Sequence, residues 1–157
     1  MLVMRNIISK GLLTVLIVSM ATACSTNTVD KEQIKKEIQA KESEFAQVYN
    51  EGKLKDIGYY ADDATTFYQN RAPLVGKAAI VEFLKSDIDS NTNKISFLTK
   101  EVFPSSDGNQ VVEIGYFELM DSANIIINTG NYMTLFEKRN GAYVSVRDMS
   151  VSNVPLR

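Results

Sequence analysis

The stretch IIINTGNYMTLFEKRNGAYVSVRDMSV, residues 125–151, contains the strongest local structural signal in this chain. It contains two extended runs, residues 125–138 and 142–151, on either side of Asn140-Gly141. An Asn-Gly pair supplies the two positive φ angles that a type I′ hairpin turn requires. The stretch therefore predicts two long antiparallel strands joined by a tight turn.

Upstream of this hairpin the pattern is first extended and then helical. Residues 95–103 and 110–120 are two more strand candidates, bounded by polar turn segments. Farther upstream, Asp30 stands at an N-cap position, and apolar residues then recur mainly on one helical face. They are Ile34, Ile38, Phe45, Val48 and Tyr49. Helices followed by long antiparallel strands predict an α+β fold with the helices on one face of the sheet.

Three shorter elements are expected between the long helix and the long strands. The pattern favours a short helix over residues 54–60, a strand over residues 65–68 and a third helix over residues 76–84. Asp62 and Asp63 lie between the expected helix and strand, where a carboxylate can accept backbone hydrogen bonds. We interpret them as turn-forming residues rather than as a catalytic pair.

The first 24 residues have the pattern of a bacterial export signal with a lipid attachment point. Arg5 and Lys10 precede an apolar run over residues 11–20, and small residues stand directly before Cys24. An apolar run of this length is too short to cross a bilayer and is typical of a signal peptide. The segment resembles a lipobox. We therefore expect a lipoprotein of the bacterial cell envelope, facing the periplasm or the exterior, with residues 1–23 removed and a palmitate-type lipid on Cys24.

Composition limits what the rest of the chain can do. Two of the 17 basic residues and none of the 19 acidic ones lie in the signal, which leaves a formal charge of −4. This charge argues against a nucleic-acid partner. The chain has no histidine and a single cysteine, so His-based zinc sites, His bases and cysteine nucleophiles are excluded from the domain. We expect no metal and no cofactor.

Residues 24–29 form a polar tether, and residues 30–157 suffice for one domain. The alternative to a lipoprotein is an ordinary secreted protein in which Cys24 is an incidental free thiol.

Three motifs resemble the nuclear transport factor 2-like superfamily, including its SnoaL-like domains. They are GYYADDAT over residues 58–65, PLVGKAAIVEF over residues 73–83 and KRNGAYVSVRDMS over residues 138–150. The resemblance covers residues 30–152. It implies a cone, in which a curved antiparallel sheet of four to six strands wraps round the long first helix, with two shorter helices and a pocket at the wide end. Because this superfamily holds both enzymes and non-catalytic modules, the fold alone does not define a function.

The catalytic residues of two groups in this superfamily do not carry over. The resemblance to ketosteroid isomerases places their general base at Tyr68, and a tyrosine is a poor base at neutral pH. The same resemblance places their oxyanion-binding tyrosine around Glu44 and Phe45, neither of which is a tyrosine. SnoaL-type cyclases use a histidine, which this chain lacks. Neither inherited mechanism fits the sequence.

Six residues from different elements are candidates for the pocket lining. They are Tyr60, Phe67, Tyr116, Tyr132, Arg147 and Asp148. Arg147 and Asp148 face opposite sides of one strand, so at most one of them enters the pocket. The family pattern favours Asp148 as the candidate catalytic residue, since a buried aspartate has a raised pKa and can exchange a proton. A structural aspartate within an aromatic core is the alternative.

Three functions remain open at this point. The leading hypothesis is a lipid-anchored extracytoplasmic domain that binds a small, partly apolar ligand or a protein partner without catalysis. The second is an isomerase, dehydratase or cyclase that uses Asp148 with tyrosine donors. The third is a structural homodimer, because Ile125, Ile126 and Ile127 form an apolar run on the sheet.

Overall fold

A computed structural model describes residues 28–154 of this chain, and the expected signal peptide and Cys24 lie outside these residues. Two α-helices and six strands follow one another. In chain order the elements are α1 (Lys31–Asn50), a single 3₁₀ turn (Leu54–Asp56), β1 (Tyr60–Tyr68), β2 (Leu74–Val75), α2 (Lys77–Ser90), β3 (Lys94–Pro104), β4 (Gln110–Met120), β5 (Ile126–Arg139) and β6 (Ala142–Ser152). Neither helix of the described part is long and apolar enough to span a membrane.

All six strands form one open sheet in the order β2-β1-β6-β5-β4-β3. Strands β3 to β6 pair antiparallel in chain order, and Asn140 and Gly141 have the predicted positive φ angles of 53° and 83°. The expected α+β fold and the hairpin are therefore confirmed. The sheet is mixed rather than purely antiparallel, since β1 pairs parallel with β6. No hairpin joins these two strands, so nothing in the connection requires them to be antiparallel.

The region between the two helices differs from the sequence-based prediction. The expected helix over residues 54–60 is only a 3₁₀ turn, and β1 already begins at Tyr60. Asp62 and Asp63 therefore lie within a strand and not in a turn. Between Tyr60 and Thr65 the pairing register with β6 shifts, so that both aspartates are exposed. A bulge inserts extra residues into one strand and breaks the alternation on which the prediction relied.

Helix α1 supplies the central part of the core. Its N-cap is Asp30, whose side chain accepts a hydrogen bond of 3.0 Å from the Gln33 backbone N–H, as predicted. The expected apolar face is buried at Ile34, Ile38, Phe45 and Tyr49. This face packs against β3, while α2 packs against β1. The α2 helix also runs to Ser90, beyond the predicted end at residue 84.

Two glycines in the sheet make room for aromatic rings of the neighbouring strand. A Cβ atom at Gly115 would lie 2.1 Å from the Tyr132 ring, and one at Gly130 would lie 2.4 Å from the Phe117 ring. Gly115 pairs directly with Tyr132, and Gly130 with Phe117. Each ring can therefore lie flat against the backbone of its partner strand. These close approaches position two of the aromatic side chains described next.

Candidate functional site

A cavity of about 320 Å³ opens between the two helices and the concave face of the sheet. Most of its wall is aromatic, and its polar groups are carboxyls, amides and hydroxyls. The lining residues are Glu42, Phe45, Tyr49, Tyr59, Tyr60, Tyr68, Gln69, Phe83, Leu84, Asp87, Ile95, Phe97, Phe117, Leu119, Asn128, Tyr132, Asp148, Ser150 and Ser152. An apolar wall with a few polar groups is the usual composition of a small-molecule site.

The aromatic walls pack on one another. Phe97 makes edge-to-face contacts with Phe45 at 5.5 Å and with Tyr132 at 5.3 Å between ring centroids. The ring centroids of Phe45 and Tyr59 are 4.9 Å apart. Such contacts stabilise the position of each ring beyond its burial alone. The cavity wall is therefore held in place before any ligand enters.

Two buried carboxyls, Glu42 and Glu113, lie beside the deep end of the cavity. Glu42 is 1% exposed and accepts a hydrogen bond of 2.5 Å from the Tyr59 hydroxyl. Glu113 is 0% exposed and accepts hydrogen bonds from the Thr99 hydroxyl at 2.6 Å and the Tyr132 hydroxyl at 2.8 Å. Glu42 belongs to the buried face of α1. It follows Ile38 by four residues and precedes Phe45 by three, and this helical spacing was the sequence signal for its position on the buried face.

Burial sets the protonation of this pair. Loss of solvent raises the pKa of Glu42 well above its usual value, and the nearby Glu113 raises it further. Burial also raises the pKa of Glu113, but the hydrogen bonds from Thr99 and Tyr132 oppose that rise. Two adjacent carboxyls in a site of low polarity cannot both be ionised easily. Ionisation of Glu42 is therefore disfavoured relative to that of an exposed glutamate.

Asp148 is the third carboxyl of the cavity and comes from β6. Burial and the charge of Glu113 raise the pKa of Asp148 to about 7, while the interaction with Tyr60 opposes this rise. The residue keeps a small exposed fraction, because the cavity itself reaches its side chain. An acid of this pKa exchanges a proton near neutral pH, as an acid or base catalyst does. Its neighbour Arg147 is exposed on the opposite face of the strand.

A fourth carboxyl, Asp87 of α2, accepts a hydrogen bond of 2.5 Å from the Tyr49 hydroxyl of α1. Burial is the main cause that raises the pKa of all five cavity tyrosines, so that they stay protonated. They are Tyr49, Tyr59, Tyr60, Tyr68 and Tyr132. The described residues contain no cluster of three or more acidic, histidine or cysteine side chains arranged to hold a metal ion.

The structure places the six residues proposed for the pocket on both sides of the sheet. Tyr60, Tyr132 and Asp148 line the cavity. The other three do not line it. They are Phe67, Tyr116 and Arg147, which share the outer face with exposed residues such as Met149 and Met133. The alternation of side chains along a strand separates the two sets, and the sequence alone did not show which set faces inward.

Sequence reasoning missed six polar or aromatic groups that matter to the cavity. They are Glu42, Tyr49, Tyr59, Tyr68, Asp87 and Glu113. Tyr68, at the position of the isomerase general base in the resemblance, does line the cavity, and so does Phe45. Glu44 is exposed and pairs with Lys41 at 2.9 Å. Tyr68 and Phe45 thus line the cavity without the side chains that the isomerase mechanism requires.

By sequence the chain matches no family model and no curated protein. By structure it is similar to many solved proteins. A domain of unknown function with a cystatin-like fold from Nostoc punctiforme has a TM-score of 0.69 at 11% identity, over 81% of this chain and 82% of that one. An NTF-2-like protein of unknown function from Shewanella oneidensis has a TM-score of 0.62 at 18% identity, over 73% and 96%.

A third similar structure contains a bound molecule. This protein, from Catenulispora acidiphila in complex with S-DNPA, has a TM-score of 0.66 at 13% identity, over 78% of this chain and 96% of that one. The chain therefore has the cystatin-like, nuclear transport factor 2-like fold that the three motifs implied. Because function varies widely within one fold, the residues of the cavity have to supply the functional argument.

Proposed function

We propose that this chain is a lipid-anchored extracytoplasmic protein whose cavity binds a small, partly apolar ligand without converting it. The observation that carries the binding proposal is the open cavity of about 320 Å³ with packed aromatic walls and carboxyls inside. Small-molecule sites range from about 300 to 1,000 Å³ and have this composition. The S-DNPA complex of a protein with the same fold supports the proposal.

The hydrogen bonds inside the cavity favour binding over turnover. An isomerase of the expected kind needs tyrosine hydroxyls that donate to the substrate as negative charge develops. Here the hydroxyls of Tyr49, Tyr59 and Tyr132 donate to Asp87, Glu42 and Glu113. Each of these phenols has a single hydroxyl proton, which is donated to a carboxyl and is therefore not available to a substrate.

Filling the cavity tests the binding proposal. Ser150 lines the cavity from β6, so Ser150→Tyr should block it and abolish the chemical-shift changes that small ligands cause in the NMR spectrum. The matched control is Asn131→Tyr, which adds a tyrosine on the exposed face of β5. Ligands that bind both variants like the wild type would contradict a site in this cavity.

The lipid anchor rests on Cys24 and the signal pattern before it. Expressed in a bacterium with a palmitate analogue, the wild-type chain should become labelled and remain in the membrane fraction. Cys24→Ser should lose the label and appear in the soluble fraction. An unlabelled wild-type protein would favour the alternative of an ordinary secreted protein.

An enzyme that uses Asp148 is the second candidate, and the observation that favours it is the pKa of about 7 on a carboxyl inside the cavity. Such a group is a suitable general base near neutral pH. Conversion of steroid, polyketide or hydroxyacyl compounds by the purified protein, abolished in Asp148→Asn, would establish this candidate and overturn non-catalytic binding.

The outer face of the sheet favours a homodimer as a further candidate. Phe67, Met149, Met133 and Ile114 lie opposite one another on four adjacent strands, and three of them are 39–51% exposed. A continuous apolar patch of this kind typically marks an interface. The run at Ile125, Ile126 and Ile127 is also exposed, at 46–62%. Analytical ultracentrifugation should show a dimer that Met133→Lys dissociates, and a wild-type monomer at micromolar concentration would exclude it.

A further inference from the structure

The carboxyls of the cavity are not balanced by basic residues in its lining. Glu42, Asp87 and Asp148 line it, whereas no lysine or arginine does among the described residues, and the chain has no histidine. Arg147 and Arg139 lie outside, where Arg139 pairs with Asp63. An anionic ligand would therefore contact carboxyls and no basic side chain within the lining, which costs free energy in a water-poor cavity.

Three of the five tyrosine hydroxyls of the cavity already donate to carboxyls, at 2.5–2.8 Å. Towards a ligand these three hydroxyls can therefore only accept a hydrogen bond, through the lone pairs of the phenol oxygen. A ligand that donates hydrogen bonds satisfies these acceptors, whereas a ligand that only accepts leaves them unpaired.

The walls themselves also favour a positive charge. Nine aromatic residues line the cavity, and ring faces attract ammonium and guanidinium groups. One instance is already present at the wall, where the Arg71 guanidinium lies 4.1 Å from the centroid of the Phe83 ring and 5.9 Å from that of Tyr68. These rings thus already bind a cation on the side where the exposed Arg71 lies.

We propose that the ligand of this cavity is an organic cation, a protonated amine or quaternary ammonium on an apolar body, whose charged group lies near Asp148 and Glu42. The proposal rests on the proposed function, since it names the ligand class of the same cavity. Carboxyls without a basic partner in the lining, acceptor oxygens and aromatic faces each favour such a ligand. An apolar body would fill the part of the cavity formed by Phe97, Phe117 and Leu119.

This ligand class has a defined pH dependence. The titratable groups around Asp148 are Glu42 of α1, Tyr59 before β1, Tyr60 and Tyr68 of β1, and Glu113 of β4. The tyrosines stay protonated below pH 9, so the acids alone respond. A cation binds better when Asp148 is ionised, and its pKa of about 7 implies about 30-fold tighter binding at pH 8.5 than at pH 5.5. Ionisation of Glu42 or Glu113 would act in the same direction.

The test compares three probes of one shape on the purified wild-type protein. Phenethylammonium, phenethyl alcohol and hydrocinnamate share a phenyl ring and a short chain and differ in their head group, and cyclohexyl and indolyl analogues vary the body. We expect the ammonium compounds to bind at least 10-fold more tightly than the alcohols, and the carboxylates to bind weakest, in NMR titrations at pH 8. Only the ammonium series should weaken as the pH falls to 5.5.

Two variants test whether Asp148 causes the preference for ammonium compounds. Asp148→Asn should lose most of the preference for ammonium and most of its pH dependence, while Asp62→Asn removes an exposed carboxyl of β1 and should change neither. If Asp148→Asn does not fold, the comparison of head groups and its pH dependence in the wild type decide the matter.

The outcomes separate the two proposals. Alcohols or carboxylates that bind as well as the ammonium compounds would overturn the cation inference and leave ligand binding intact. Ammonium compounds that Ser150→Tyr fails to exclude would place their site elsewhere and overturn the inference. If no compound of any series binds at millimolar concentration, both this inference and the proposed binding function fail.

Discussion

The two faces of the sheet differ in the composition and in the exposure of their side chains. On β6 the adjacent residues Arg147 and Asp148 point to opposite sides, and burial on the inner side raises the pKa of Asp148 to about 7. The inner face is aromatic and acidic, with its hydroxyls bonded to carboxyls. The outer face is apolar and exposed at Phe67, Met133 and Met149. A single step along the chain thus separates the wall of the cavity from an exposed apolar surface.

Removal of an inward side chain should have the largest effect. Phe136 is 0% exposed on β5, so Phe136→Ala should lower the free energy of unfolding by about 4 kcal/mol, from lost burial and the cavity left behind. Met133→Ala, on the other face of the same strand, should cost less than about 1 kcal/mol. Urea denaturation measures both values, and equal losses would refute the assignment of the two faces.

Asp148 should make stability fall as the pH rises. Its pKa is raised from 3.8 to about 7 in the folded state, so between these values the folded protein retains a proton that the unfolded chain has released. The favourable contribution is complete below pH 4 and is lost as the pH approaches 7, a change of about 2 to 4 kcal/mol. Asp148→Asn should remove that part of the slope in urea denaturation between pH 4 and 8. An unchanged slope would show that Asp148 titrates normally.

The close approach at Gly115 should show how tightly the inner face is packed. A Cβ atom there would overlap the Tyr132 ring at 2.1 Å, so Gly115→Ala should lower the free energy of unfolding by about 2 kcal/mol and weaken ligand binding. Gly58→Ala is the control, because its Cβ would meet only Glu44 Oε1 at 3.6 Å. Equal stability of the two variants would mean that the Tyr132 ring has room to move.

The smallest effect should come from the ion pair on the outer face. Arg139 contacts Asp63 and Glu137, and both partners of the Asp63 pair are exposed. Solvent screens exposed pairs, so Asp63→Asn should leave the free energy of unfolding almost unchanged. The change should shrink further in high salt. A loss above 2 kcal/mol would mean that this pair is not screened by solvent.

Local signals predicted most of the fold. The Asn140-Gly141 turn, the N-cap at Asp30 and the extended runs that follow α2 depend on neighbouring residues, and the structure confirms them. The bulge in β1 and the parallel pairing of β1 with β6 were not predicted, since both depend on strands distant in sequence. The signal peptide and the lipid on Cys24 remain predictions.

The class of fold and the lack of histidine and of any cysteine other than Cys24 follow from local pattern and composition. Which face of each strand lines the cavity depends instead on how distant segments pack. The tertiary structure brought Glu42, Glu113 and Asp148 from α1, β4 and β6 to one place, where burial raises all three pKa values. A pKa depends on the solvent and charges around a group, and those are set by packing between distant segments.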